Sequence, residues 1–198
     1  MIDYADLLKA DSGQPARRIH LIDGDSFAEW LKAQPERVRT AAAAQKFKGK
    51  ANEVAILPGD RAEEWSVAAG VADRTALSSW CLAKAAETLP EGTYRLAEGD
   101  PGAAALGWMT AQYRFDRYRK EDAAQGPRVL LSRDIARIEP TVRLAEAVAL
   151  VRDLVNTPTA DMGPPHLEAQ AERIAKSHGA EFTVTRGDAL AAQYPMIH

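Results

Sequence analysis

Ile22-Asp-Gly-Asp-Ser-Phe27 follows an apolar run and precedes a helical pattern, the position at which a strand-to-helix turn can present a nucleophile. Two chemistries use these residue types. Ser26 behind Gly24-Asp25 could attack an acyl carbon if an Asp and a His stood beside it. Asp23 and Asp25 could instead form the aspartyl pair of a phosphate-transferring site. Both need partners. Asp161 with His166 has neither the spacing nor enough following chain for a serine triad, and no later Lys and acidic pair can be placed after strands. An acidic turn with a Ser26/Glu29 capping box accounts for the same residues: the serine oxygen takes a backbone N–H and Glu29 reaches back.

Metal chemistry finds no better constellation. His166 and His178 stand twelve residues apart at opposite ends of one expected helix, too far to share an ion. His20 alternates with Ile19 and Leu21 and is expected to face away from the core. Glu168 and Glu172 share a helical face opposite the Leu167/Ile174 stripe, a solvated arrangement. Asp161, Glu181 and Asp188 are spread over a loop, a strand and a helix. Cys81, within an apolar helical pattern, reads as a small core hydrophobe. Trp108, Tyr113 and Tyr118 beside Arg114, Arg117 and Arg119 could stack on bases, but their helical spacing favours packing with a salt-bridged rim. Gly99-Asp-Pro-Gly102 and Gly107 lack the spacing of a phosphate loop. Lys32, Arg37, Arg39, Lys46, Lys48 and Lys50 against Glu36 make one basic stretch, the best argument for nucleic acid. The chain as a whole is acidic, at net charge −3, so nucleic acid is not expected as a partner. No residue is therefore assigned a catalytic or metal-binding role, and substrate-binding residues stay undetermined.

The elements that would position any site follow from periodicity. Arg18–Asp23, Val54–Leu57, Trp65–Ala69, Thr93–Leu96 and Arg128–Leu131 read as short strands. Between them lie a helix with the Phe27/Trp30/Leu31 stripe, a second from Pro35 toward Phe47, a third over Thr75–Thr88, and a fourth opened by Asp100-Pro101 and carrying Leu106, Met109, Tyr113 and Tyr118. Strands interleaved with helices predict a three-layer α/β domain over residues 1–138. From Pro140 to Asn156 apolar residues point nearly all round a helix of ~25 Å, at about 1.5 Å per residue. It is expected to be buried between two layers, as a connecting element over 139–158. Thr157-Pro158 stops it. Pro164-Pro165 then start a helix with Leu167, Ala171, Ile174 and Ala175 inward, and Glu181–Thr185 alternates as a strand. Residues 159–198 are thus expected to be the incomplete first segment of a second α/β domain, because one helix and one strand cannot enclose a core. The 198 residues, 46% hydrophobic and 27% charged, exclude a disordered chain. A single cysteine excludes internal disulfides and fits a reducing cytoplasm. No run is long and apolar enough for a membrane span, and the first residues lack a secretory pattern.

Arg152-Asp-Leu-Val-Asn-Thr-Pro158 with Asp161 and Pro164, at the end of an apolar helix, resembles the leucyl (cytosol) aminopeptidase family of dinuclear metal exopeptidases. Leu106-Gly-Trp-Met-Thr-Ala-Gln-Tyr-Arg-Phe-Asp-Arg-Tyr118, Phe47-Lys-Gly-Lys50, Leu57-Pro-Gly59 and the run from Leu167 to Val184 are similar to it as well. The resemblance implies a macro-type N-terminal domain, a linking helix and the start of a catalytic domain. It implies a cytoplasmic, hexameric hydrolase that releases N-terminal amino acids from peptides with two divalent cations, Mn²⁺ or Zn²⁺. The family's ligand segments, Gly-Lys-Gly…Asp-Ser-Gly-Gly and Asn-Thr-Asp-Ala-Glu-Gly-Arg, do not occur in residues 1–198. Gly49-Lys50 is not the first, since it lacks the Asp and glycines that should follow. The chain alone is therefore expected to hold no metal and to have no peptidase activity, its part being assembly and substrate access. The alternative reading is a stand-alone nucleotide- or nucleic-acid-binding α/β domain.

Overall fold

Short apolar runs of the first two thirds of the chain pair into one sheet. The computed structural model describes residues 3–61, 63–119 and 126–198. The strands are β1 Leu8–Ala10, β2 Arg17–Ile22, β3 Val54–Pro58, β4 Trp65–Gly70, β5 Gly92–Leu96 and β6 Arg128–Ser132. The helices are α1 Phe27–Lys32, α2 Glu36–Ala44, α3 Ala83–Thr88, α4 Ala104–Thr110, α5 Ile135–Asn156, α6 Pro164–His178 and α7 Asp188–Gln193. The sheet order is β1-β6-β5-β2-β4-β3. The first five strands in that order run parallel, and β3 lies antiparallel on β4 at the edge. The chain divides into two compact units, Met1–Val151 and Arg152–His198.

Each face of the sheet has its own core. On one, Ile19, Val67, Tyr94, Leu96 and Leu130 pack against Leu82, Ala85 and Ala86, against Ala104, Ala105, Trp108 and Met109, and against Val142 and Ala145. These come from α3 and its lead-in turn, α4 and α5. On the other, Ile22, Ala55, Leu57 and Ala68 pack against Val38 and Ala42 of α2 and against Phe47, with Phe27, Trp30 and Leu31 of α1 alongside. The α1 stripe is thereby realised: Phe27 and Trp30 each meet the Phe47 ring at 6.0 Å, edge-on. Helices on both sides of a parallel sheet make the expected three layers.

Trp108 anchors the larger core. It is fully buried, its ring lies 5.4 Å from that of Tyr94, and Nε1 donates to the Arg128 carbonyl at 2.8 Å. Gln112 completes the same backbone unit, accepting from Arg128 N–H at 2.9 Å and donating to its carbonyl at 2.9 Å. Gln45 does likewise for Ile56, at 2.9 and 2.8 Å. Gly107 is required where α4 meets the preceding turn, because a Cβ there would come within 2.0 Å of the Ser79 carbonyl oxygen.

Several sequence expectations change. β1 was not foreseen. The helix expected over Thr75–Thr88 begins only at Ala83; at its expected start the Asp73 carboxylate takes the Thr75 N–H and hydroxyl in a local turn. Asp100 does not cap α4, which runs only from Ala104 to Thr110, so Tyr113 and Tyr118 lie beyond the helix. Its carboxylate takes the Gly102 N–H at 3.3 Å in the turn before α4, and also Ser132 Oγ–H and the N–H groups of Arg133 and Asp134, at 2.6 to 3.3 Å. These bonds fix the residues just before α5, which starts at Ile135, upstream of the expected start, so that Pro140 falls inside the helix. Nor is α5 enclosed on most sides within this chain. It buries Val142 and Ala145, whereas Leu144, Val151 and Val155 are 51%, 58% and 78% exposed.

The second unit is built on α6. Pro164 and Pro165 open it, His166 Nδ1 accepts from Gly163 N–H at 3.1 Å, and Gly179 closes it in the left-handed conformation. The stripe expected to face inward buries nothing: α6 and α7 contain no buried residue, and Leu167 is exposed. Glu181–Thr185 forms no strand, because among the described residues no strand pairs with it to supply ladder hydrogen bonds.

Trp108→Ala is expected to lower the unfolding free energy of the first unit by about 3–5 kcal/mol, read by urea titration of tyrosine fluorescence and circular dichroism.

Candidate functional site

The turn after β2 resolves the serine and aspartate readings. Asp23 Oδ1 accepts from Ser26 N–H at 2.8 Å and from the Ser26 hydroxyl at 2.6 Å, while Ser26 Oγ accepts from Asp23 N–H at 3.1 Å. The Phe27 N–H donates to the Asp23 carbonyl at 3.0 Å. The cap of α1 is therefore Asp23, and the expected Ser26/Glu29 box is not formed, since Ser26 makes no capping bond of its own. The hydroxyl proton that a nucleophilic serine would yield to a base lies on a carboxylate. Asp23 Oδ2 faces the Arg74 N–H at 3.4 Å. The Ser26 hydroxyl first, then the Ser26 N–H, hold the Asp23 carboxyl below the ordinary carboxylate range, with Arg74 adding to them against burial.

The other candidates remain apart. His20 sits half-buried on β2, where burial first and Arg18 second push its imidazole down, against Glu98. His178 lies in the last turn of α6. Glu168 pairs with Arg186, and Glu172 with Lys176 at 2.7 Å, which lowers the Glu172 carboxyl. Cys81 is partly buried, Sγ 3.3 Å from Ser78 Oγ. The aromatic set is split, with Trp108 in the core and Tyr118 exposed beneath the Arg117 guanidinium. In the basic stretch Arg37 pairs with Asp60 at 2.6 Å, and Glu53 accepts from Lys48 and Lys50 N–H groups. Among the described residues no three His, Cys, Asp or Glu stand close enough together to hold a metal ion. These residues do not fit a dinuclear metal centre.

Polar side chains do converge elsewhere, at the carboxyl ends of β1, β6 and β5. Asp11, whose side chain is 6% exposed, follows β1 and lies 3.2 Å from Arg95 Nη1 and 3.9 Å from Arg133 Nε. Arg95 Nη2 also donates to the Gln14 carbonyl. A cavity of about 380 Å³ opens here, lined by the 13–16 loop, Arg18, Arg95, Leu96, Ala97 and Arg133. A broader crevice of about 940 Å³ shares Arg18 and continues past His20, Ser66 and Thr93 to Trp65, on which Arg17 stacks at 4.2 Å. Sequence reading missed Asp11, Arg18, Arg95 and Arg133. The available signal was the arginines placed one residue from Ile19 and Leu96, on the strand face opposite the larger core.

Residues 18–131 match the family described as M17 aminopeptidase, N-terminal domain. A probable cytosol aminopeptidase of Methylorubrum extorquens is 30% identical over 169 residues, covering 71% of this chain and 32% of the relative. The crystal structure of a cytosol aminopeptidase from Coxiella burnetii superposes with a TM-score of 0.79 at 24% identity, over 96% of this chain and 42% of that one. The bottromycin maturation enzyme BotP in complex with Mn superposes at 0.64 and 20% identity, over 95% of this chain and 40% of that one. These two likenesses concern the fold. The chain spans about a fifth to a third of the length of the curated relatives it matches.

Two substitutions test the Asp23 turn and the Asp100 junction. A carboxyl held low in the folded chain contributes stability that is complete above its unfolded value, about 3.9, and is lost as pH falls through its lower folded value. Asp23→Asn is thus expected to reduce stability at pH 7 and to flatten the decline below about pH 4, in urea titrations across that range. Asp100→Ala, which strips the Ser132, Arg133 and Asp134 donors of their acceptor, is expected to cost about 1–3 kcal/mol in the same measurement.

Proposed function

Since the chain belongs to the M17 aminopeptidase family, through that family's N-terminal domain, we propose that it is the non-catalytic front part of a metal-dependent exopeptidase that removes N-terminal amino acids from peptides. The match over residues 18–131 carries this reading. In it, residues 1–138 are the N-terminal domain, 139–158 the connecting helix and 159–198 the opening segment of the catalytic domain. The lack of any buried residue in α6 and α7 and the exposed Leu144, Val151 and Val155 of α5 support that division, because such surfaces suit a larger core than residues 152–198 can build. The two divalent cations, Mn²⁺ or Zn²⁺, would sit on residues outside this chain. They would activate water and polarise the scissile carbonyl there. The front part would serve assembly, as a hexamer, and the shaping of peptide access. Its place would be the cytoplasm; no helix among the described residues is long and apolar enough to cross a membrane. Pairing of Arg37 with Asp60 breaks up the basic stretch, and no observation favours nucleic acid.

Two measurements test the proposal. The purified 198-residue chain is expected to release no p-nitroaniline from Leu-p-nitroanilide with added Mn²⁺; turnover abolished by a chelator would overturn the non-catalytic assignment. Coding sequence beyond codon 198 is expected to continue into a Gly-Lys-Gly…Asp-Ser-Gly-Gly segment, and a continuation lacking it would overturn the peptidase assignment.

A further inference from the structure

Two arginines and one carboxylate at the carboxyl ends of β1, β6 and β5, with Arg18 near the start of the neighbouring β2, form an arrangement that neither the core nor the peptidase reading uses. Asp11 fixes it from beneath. Its Oδ1 accepts from Gly13 N–H at 3.0 Å and faces Arg95, while Oδ2 faces Arg133. Arg95, 20% exposed at its side chain, is further tied to the Gln14 carbonyl. Arg133 is held at its backbone, where its N–H donates to Asp100 at 2.6 Å, and its side chain remains 67% exposed. Arg18, in register with Arg95 on the neighbouring strand, lines the same cavity from β2 and makes no ion pair among the described residues. Glu98, one residue past Ala97, is exposed and lines neither crevice.

We propose that this cavity is a binding site for a small phosphate-bearing anion, gripped by Arg18, Arg95 and Arg133 above the Asp11 carboxylate. The charge count selects the ligand. Three guanidiniums against one carboxylate leave two positive charges uncompensated, which a phosphate dianion balances and a single carboxylate does not. Guanidinium forks match phosphate oxygens two at a time, and Arg95 is already oriented by its two internal contacts, so little order has to be created on binding. Position agrees with the charge: in open α/β sheets ligands settle in crevices outside the strands' carboxyl ends. About 380 Å³ exceeds what one phosphate fills, leaving room for the organic part of a small ester. The site lies wholly within the first unit, so the inference is independent of the peptidase reading.

The test is a titration of the chain with inorganic phosphate, followed by ³¹P line broadening at constant ionic strength in chloride. Saturable broadening is expected. Arg18→Gln is expected to raise the dissociation constant about tenfold, the loss of one charged hydrogen-bonding partner. Its melting temperature in chloride should not move, since Arg18 supports no internal ion pair. Arg39→Gln, an exposed arginine on α2, should leave binding unchanged. Glycerol 3-phosphate separates the sources: tighter binding than inorganic phosphate assigns the site to an ester, weaker binding to the free ion. Absence of saturation, unaltered affinity in Arg18→Gln, or an equal loss in Arg39→Gln overturns the proposal.

Discussion

Five parallel strands satisfy one another's peptide groups, so the chain's remaining problem is to keep water from both faces of the sheet. It solves this unequally. The face bearing Ile19, Val67, Tyr94 and Leu130 is roofed by α3, α4 and α5, with Trp108 at its centre. The opposite face is covered only where α1 and α2 lie over Ile22, Ala55, Leu57 and Ala68. The strip left open carries Arg18, His20, Ser66, Thr93 and Arg95, polar residues where a doubly covered sheet would carry apolar ones. Polarity in the sequence and vacancy in the roof have one cause.

Carboxylates, not the helix sequences, decide where several elements begin. Asp23 starts α1, Asp73 closes the turn at Thr75, and Asp100 gathers the β6–α5 junction. In each case an acid in the loop that leaves a strand satisfies N–H groups that would otherwise lack partners. The strand-carboxyl edge is thus organised by negative side chains facing inward to backbone, while at Asp11 the same device orients arginines. The two units differ for the same reason: the first has strands to supply such corners, and among its described residues the second has helices and no strand.

Much of this was legible from residue order. β2, β3, β4, β5 and β6 fall where the apolar runs stand, and the Phe27/Trp30/Leu31 stripe faces Phe47 as its period requires. β1 was not legible, because Leu8–Ala10 is three residues long and exists through its pairing with β6. The start of α5 was misplaced because Asp100 organises the residues before it from 32 to 34 positions away, beyond the reach of local propensity. Glu181–Thr185 has the alternation of a strand but no neighbour, which shows that period two states a capacity and pairing realises it. The arginine cluster escaped since its members lie at 18, 95 and 133 and meet only through sheet order. That no residue is assigned a catalytic role rests on missing family segments, on motifs rather than on geometry.

The Gln45 amide has a consequence for how separate copies of this chain behave. Ile56 lies on the outermost strand, 40% exposed, with a free side on which another backbone could lay itself. By occupying both the donor and the acceptor of Ile56, Gln45 removes the docking points an incoming extended segment would need there. Lateral growth of the sheet into chains of molecules is therefore opposed at the middle of that rim by one neutral side chain, with neither charge nor proline in the strand's centre.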